Sequence, residues 1–333
     1  MKILTDSFGR THDYLRISLT DKCNLNCIYC NPDNSSYPKL MKEEILSFNE
    51  LLRLMNIFCE AGITKIRFTG GEPLTRKSIF DFLGEVGRLK HKFDLQLAIT
   101  TNGILLKGNV NQLQKSGIEN LNISIDSLQN KKFLSITKQN QLESVLASVD
   151  EAVQIGFNPL KINTVLMKGI NDDEILDFVD FAVNKNINVR FIEYMPFGNN
   201  DWQAGYFMSW SEIKSVVENK FKLIPVNNRI NSVAKDYLIE EHPGTVSFIS
   251  SISDHFCSSC NRLRITANGK LKLCLFTNGT SELDFKKLLN DNNLSNIAIT
   301  ELILEKLKLK QEMHPPVEDL LLYEKNNMLS IGG

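Results

Sequence analysis

Between Tyr14 and Tyr194, six short apolar runs alternate with longer stretches of helical periodicity. This alternation narrows the fold more than any other feature of the 333-residue chain. The runs are Tyr14–Leu19, Lys65–Thr69, Leu95–Thr100, Leu121–Ile125, Leu160–Leu166 and Val189–Tyr194. The helical stretches between them fall near Phe48–Ala61, Lys77–Leu89, Val110–Ser116, Leu142–Ile155 and Asp172–Asn184. Strands joined through helices are parallel, because a parallel pair needs a crossover rather than a tight turn. Six strands fall short of the eight of a closed barrel. An incomplete (βα)6 barrel or an open wound sheet is therefore expected. Ser47 with Glu50 reads as a capping box, Gly62 as that helix's stop, and Asn171 with Glu174 as a second helix start.

The alternation fails near Gly198, which divides the chain into 1–197 and 198–333. The second part shows a helical pattern at Ser211–Lys220 and strand-like runs at Tyr237–Glu240, Thr245–Ile249, Leu263–Thr266 and Leu271–Leu275. Helical patterns follow near Leu283–Leu289 and Thr300–Lys308. Thirty-eight basic residues against 39 acidic ones give nucleic acid no support as the main partner. No apolar run is long enough to span a bilayer. Seven cysteines, an odd number, with no secretory signal in Met1–Arg10, point to free thiols and a reducing cytoplasm.

Three of those cysteines, Cys23, Cys27 and Cys30, lie in one tight loop just past the first apolar run. A four-iron cube normally takes four thiolates, so three would leave one iron open to a cofactor or substrate. Zinc and an ordinary electron-transfer cluster are the alternatives, although the nearest histidine, His12, lies before the strand. The strand exits on the same edge are polar: Thr69-Gly70-Gly71-Glu72-Pro73, Thr100-Thr101-Asn102-Gly103, Ser124-Ile125-Asp126-Ser127 and Glu193-Tyr194-Met195-Pro196. Each alone is an ordinary turn. Together, at the edge where parallel sheets gather ligands, they read as a site.

A second triad, Cys257, Cys260 and Cys274, lies in the C-terminal part. Its residues alone favour structural zinc, with His255 as fourth ligand. Arg262 and Arg264 between these cysteines share one strand face and suit phosphate oxygens, or else a solvated surface. Cys59 follows the apolar pattern of its helix and reads as an inert buried thiol. Gly332-Gly333 on its own reads as a frayed end.

The first triad, with aromatic Tyr29 before its last cysteine and Gly70-Gly71-Glu72 after the second strand, resembles the radical S-adenosylmethionine superfamily. That resemblance implies a partial (βα)6 barrel and a [4Fe–4S] cluster whose open iron is chelated by S-adenosylmethionine. The ordered series Asp13–Ser18, Thr69–Pro73, Thr100–Gly103, Ser124–Ser127, Lys161–Thr164, Glu193–Phe197, Cys257–Arg264, Cys274 and Gly332-Gly333 goes further. It resembles the family of GTP 3′,8-cyclases of molybdenum cofactor biosynthesis along essentially the whole chain. One departure is Asn31-Pro32, where that family usually has methionine before the proline.

The family resemblance implies that Tyr29, Gly71, Ser124 and Met195 hold S-adenosylmethionine. It places Arg16, Arg67, Thr100, Lys161, Arg262, Leu263 and Arg264 on GTP, with Arg16, Arg262 and Arg264 also counted as catalytic. It puts a second [4Fe–4S] cluster on Cys257, Cys260 and Cys274, with its open iron toward the purine, in place of zinc. It also implies a Gly-Gly tail reaching into the site, an external one-electron reductant, a homodimer, and hand-over of product to cyclic pyranopterin monophosphate synthase. The rival activity is modification of a peptide by a radical enzyme with auxiliary clusters.

Overall fold

The computed structural model describes residues 3–30, 39–197, 200, 202–227, 231–276, 283–322 and 328–332. Gly198, Asn31-Pro32 and Gly333 lie outside the described residues. Strands β1 (Tyr14–Ser18), β2 (Lys65–Thr69), β3 (Gln96–Thr101), β4 (Asn120–Ser124), β5 (Leu160–Leu166) and β6 (Asn188–Glu193) stand side by side in chain order, every neighbouring pair parallel. The crossovers carry α1 (Phe48–Glu60), α2 (Ile79–Phe93), α3 (Val110–Lys115), α4 (Asn130–Thr137), α5 (Leu142–Gln154) and α6 (Ile175–Lys185). All six expected strands are present, to within a residue or so at each end. The fold is mixed α/β with a sheet rich in parallel pairs.

The C-terminal part extends the same sheet at both edges. After α7 (Trp210–Glu218) come β7 (Leu223–Pro225), β8 (Lys235–Ile239) and β9 (Thr245–Ile249), with β9 parallel to β6. Beyond them, β10 (Arg262–Ile265) runs parallel to β1, and the short β11 (Leu271–Lys272) is antiparallel to β10. The strand order is β11-β10-β1-β2-β3-β4-β5-β6-β9-β8-β7. Helices α8 (Phe285–Asn290), α9 (Asn296–Leu307), α10 (Val317–Leu322) and α11 (Met328–Ile331) complete the described chain.

One face of the parallel strands is apolar and one is polar. Leu15, Ile17, Ile66, Phe68, Leu97, Ile99, Leu121, Ile123, Ile162, Val189, Phe191, Leu263 and Ile265 are buried in the main core. Aliphatic faces of α1, α2, α5 and α6 supply its other side, including Leu54, Phe58, Phe82, Val145 and Phe178. Cys59 lies in this core, and burial pushes its thiol up to about 12. The Ser47–Glu50 capping box forms at the start of α1. Asn171 behaves differently from the expected cap. Its amide donates to the carbonyls of Asp126 and Val165, at 2.7 and 2.9 Å, instead of capping the helix. Glu174 likewise accepts from the Ser127 hydroxyl and the Leu128 amide at 2.8 Å each. The pair ties the β4 and β5 exits together.

Candidate active site

Residues alternate with those of the core to form the opposite face of the strands, and they enclose a cavity of about 1420 Å³. Tyr14 and Arg16 of β1, Lys65 and Arg67 of β2, Thr100 of β3, Asn122 and Ser124 of β4, Lys161 and Asn163 of β5, Arg190 of β6, and Arg262 and Arg264 of β10 all line it. Both cysteine triads line the same cavity. All seven cysteines are free thiols. The first triad follows the carboxyl end of β1. Cys257 and Cys260 precede the amino end of β10, parallel to β1, and Cys274 lies beyond the antiparallel β11 at that same edge. The triads therefore sit at opposite ends of the neighbouring strands β1 and β10, about 16 Å of strand apart at ~3.3 Å per residue.

Backbone hydrogen bonds hold the first loop. Ile28 and Asn26 donate to the carbonyls of Ile136 and Thr137 in the last turn of α4, both at 3.0 Å. Gly71 and Glu72 donate to the carbonyls of Thr20 and Lys22 at 2.7 and 2.8 Å. Glycine is required at this approach: a Cβ on Gly70 would lie 2.6 Å from the Thr20 oxygen, and one on Gly71 2.4 Å from the Lys22 oxygen. Glu72 is buried and accepts from the Leu74 amide, the Thr101 hydroxyl and the Asn102 amide at 2.9, 2.8 and 2.7 Å. Asn102 in turn donates to Asn24 at 2.7 Å and reaches the Cys23 sulfur at 3.8 Å. Tyr29 donates to Asp126 at 2.7 Å, fixing the ring before Cys30. Burial pushes the Cys23 thiol up to about 11, and burial with the neighbouring Asp126 raises Cys27 and Cys30.

The cationic side is crowded. Arg67 donates to the Tyr14 hydroxyl at 2.8 Å, the Ile99 carbonyl at 3.0 Å and the Thr100 hydroxyl at 3.2 Å. Arg16 pairs in register with Arg67 on one side and Arg264 on the other. Burial and then Arg190 bring Lys161 down to about 7, and burial brings Arg190 down to about 10. Burial opposes ionisation of Tyr14, yet Arg67, Arg16 and Lys65 overcome it and bring the phenol to about 7. Such mutual destabilisation of cations is what a bound polyanion relieves.

In the second triad, burial opposes the Cys260 thiolate, but Arg262 and Lys310 outweigh it and bring the thiol to about 6. Arg262 also lies over the Phe256 ring, 4.6 Å from its centroid. Arg264 donates to the Gly332 carbonyl at 2.9 Å, which draws the C-terminal segment into the cavity. Gly332 has φ +79°, and a Cβ there would lie 2.5 Å from the Thr69 hydroxyl and 2.9 Å from Ser18 Cβ.

The strands thus bring nearly all the expected site residues to one cavity: the six cysteines, Tyr29, Gly71, Ser124, Met195, Arg16, Arg67, Thr100, Lys161, Arg262 and Arg264. Leu263 is the exception. Its side chain is fully buried in the core, on the far face of β10 from Arg262 and Arg264. His255 lies against the His314 ring at 5.2 Å. Among the described residues, no group of three or more His, Cys, Asp or Glu is arranged to hold a single metal ion. Sequence reasoning misses Lys65, Asn122 and Arg190. The signal was available in the period-2 pattern, which puts each on the polar face with Arg67, Ser124 and Ile192.

Residues 17–182 match the model of the Radical SAM superfamily, and residues 187–316 match Molybdenum Cofactor Synthesis C. The GTP 3′,8-cyclase of Thermodesulfovibrio yellowstonii is 43% identical over 310 residues, covering 93% of this chain and 95% of that one. The chain belongs to the GTP 3′,8-cyclase family. The mitochondrial GTP 3′,8-cyclase of Arabidopsis thaliana is 42% identical over 332 residues, 99% of this chain and 84% of that one. The chain spans 54% of the molybdenum cofactor biosynthesis protein 1 of Drosophila melanogaster, at 43% identity over 93% of its own length. SuiB of Streptococcus suis shares the fold, with a TM-score of 0.63 at 15% identity over 98% of this chain and 78% of that one.

Membership of the radical S-adenosylmethionine superfamily implies a [4Fe–4S] cluster and S-adenosylmethionine. The first site fits them on three counts. Its three thiols are unpaired and face the cavity. Gly70 and Gly71 leave a cradle that side chains would fill. Buried oxygens of Asn122 and Asn163 in the same wall lack a hydrogen-bond partner. No helix among the described residues is long and apolar enough to cross a membrane.

Proposed function

We propose that this chain is a radical S-adenosylmethionine GTP 3′,8-cyclase. It converts GTP to (8S)-3′,8-cyclo-7,8-dihydroguanosine 5′-triphosphate, an early step of molybdenum cofactor biosynthesis. The observation that carries the reading is the cavity with one cysteine triad beyond the carboxyl end of β1, the other before the amino end of β10, and a cationic wall between them. In this reading the six parallel strands are an incomplete (βα)6 barrel, residues 1–197 form the radical-generating part, and residues 198–333 carry a second [4Fe–4S] cluster. Cys23, Cys27 and Cys30 hold the first cluster, and Cys257, Cys260 and Cys274 the second. Tyr29, Gly71, Ser124 and Met195 seat S-adenosylmethionine.

When bound, the first cluster and S-adenosylmethionine would supply the one-electron radical chemistry that joins C3′ of the GTP ribose to C8 of guanine. The chain's own task is to hold those atoms together and keep water away. Arg16, Arg67, Lys161, Arg190 and Arg264 provide fixed charge for the triphosphate. Arg67 is held rigid by Tyr14, Ile99 and Thr100. Arg262, over Phe256, sits next to the triad that takes the purine. Leu263 backs the site from the core, and any contact it makes with GTP is through its main chain. One electron from an external reductant and one proton taken up at the purine complete the dihydropurine, and the product passes to cyclic pyranopterin monophosphate synthase. The free thiols suit a reducing compartment such as the cytoplasm.

The test is anaerobic reconstitution with iron and sulfide, followed by dithionite, S-adenosylmethionine and GTP. The expected result is 5′-deoxyadenosine and the cyclised triphosphate in equal amounts. Deoxyadenosine without cyclised nucleotide sinks the substrate assignment, and no deoxyadenosine sinks the radical chemistry.

A further inference from the structure

Two buried cations grip the second cysteine loop from behind, and one of them has no carboxylate. Arg10 donates to the carbonyl of Cys257 at 2.8 Å and to those of Glu312 and Gln311 at 2.6 and 2.7 Å. It is paired with Asp6, Nε to Oδ2 2.6 Å. Lys310 is only 3% exposed. Its Nζ donates to the carbonyl of Arg262 at 2.8 Å and to that of Leu273 at 2.5 Å. The first of these residues opens β10, and the second immediately precedes Cys274. Lys310 therefore fastens together the two strands between which the triad is divided.

No carboxylate among the described residues pairs with Lys310. The anionic groups that bear on it are Cys260 and Cys274, while Arg10 and Arg262 oppose its charge. Burial opposes the charge of an ammonium that has no counter-charge. Protonated thiols would leave that opposition standing, whereas thiolates bound to a cluster remove it. Three thiolates outweigh the charge of the cluster core they hold, and one-electron reduction adds to the excess. A fixed cation held against the residues that flank the triad favours the reduced state, since net charge and hydrogen bonding set cluster potentials.

We propose that Lys310 is the positioning residue and resident counter-charge of the second cluster, joining β10 to the Cys274 strand and raising the cluster's reduction potential. The proposal rests on the reading that Cys257, Cys260 and Cys274 carry a [4Fe–4S] cluster. Lys310 touches neither GTP nor S-adenosylmethionine in this assignment, because both its hydrogen bonds run to main-chain carbonyls.

The test is an EPR-monitored redox titration of the reconstituted full chain carrying Cys23→Ala, Cys27→Ala and Cys30→Ala, alone and with Lys310→Met or Lys310→Arg. The parent is expected to hold about four irons per chain. In Lys310→Met the reduced-to-oxidised ratio at a fixed poise should fall about tenfold, about 59 mV for one electron. Lys310→Arg should stay near the parent. An unchanged potential in Lys310→Met overturns the proposal. Should Lys310→Met fail to hold iron, retention of iron by Lys310→Arg supports the role of charge, and loss in both variants overturns it. A parent that binds zinc or no iron overturns the reading of the second triad, and with it the proposal.

Discussion

At Gly71 the demand for glycine is set by main chain, not by a movable side chain. The missing Cβ would meet the Lys22 carbonyl carbon at 2.6 Å and the Asp21 oxygen at 2.9 Å, besides the Lys22 oxygen. Gly71→Ala must therefore push the cysteine loop outward, at a cost of about 1–3 kcal/mol for overpacking. On the proposed two-cluster assignment, reconstituted Gly71→Ala should lose the first cluster and keep the second, dropping from about eight irons to about four. Full iron content with normal S-adenosylmethionine binding would show that the cradle is unimportant. His12 makes a different demand. Its Nε2 contacts Asp6 at 3.0 Å, and its buried Nδ1 has no partner. Burial and the Lys310 charge bring the imidazole from 6.5 to about 4. A folded-state pKa below the unfolded one makes the neutral ring stabilising above pH ~6.5, and that stability is lost as pH falls toward ~4. The loss approaches about 3 kcal/mol at ~1.36 kcal/mol per unit. His12→Gln keeps a donor for Asp6 but cannot titrate, so its thermal midpoint should fall less between pH 6.5 and 4.5. Parallel curves for the two proteins would refute this.

At the scale of elements, hydrophobic period decides what can be read in advance. The six parallel strands were legible because each is a short apolar run set off by stretches of helical periodicity. Helix α4 was not. Only Phe133, Ile136 and Thr137 of its eight residues are buried, too weak a stripe to stand out. Its last carbonyls nonetheless hold the cysteine loop, so what shapes the site there is main chain, which no residue pattern reveals. The tail is similar: Gly332 reads as a loose end until Arg264 is seen on its carbonyl. Strand β10 shows the period-2 rule at work in one element. Arg262 and Arg264 face the cavity, while Leu263 and Ile265 are fully buried in the core. Leu263→Ala should therefore cost about 2–5 kcal/mol of stability, as large-to-small core changes do. Its KM for GTP, measured well below the melting transition, should stay near the parent. A raised KM with unchanged stability would place the Leu263 side chain on the substrate instead.

Over the whole molecule, 38 basic and 39 acidic residues nearly cancel, yet the cavity gathers Arg16, Lys65, Arg67, Lys161, Arg190, Arg262 and Arg264 on one wall. That segregation gives a near-neutral chain an anion site. It also sets a proton balance, because cations this close are not all fully protonated. Lys161 lies at about 7 without ligand, held down by burial and Arg190. Tyr14 lies at about 7 as well, its phenolate favoured by Arg67 and Arg16. A bound triphosphate raises both values, stabilising the Lys161 ammonium and repelling the Tyr14 phenolate. Both changes take up protons. GTP binding near pH 7.5 should thus be accompanied by net proton uptake, and affinity should weaken as pH rises from about 7 until the pKa values of the bound state are passed. Calorimetry in buffers of differing ionisation enthalpy reads the proton number directly, with guanosine as the control that lacks the triphosphate. Lys161→Met should reduce the uptake and weaken binding by about ten- to a hundredfold, the range for losing one charged hydrogen bond. Proton release, or equal uptake with GTP and guanosine, would mean that the triphosphate does not lie against this wall.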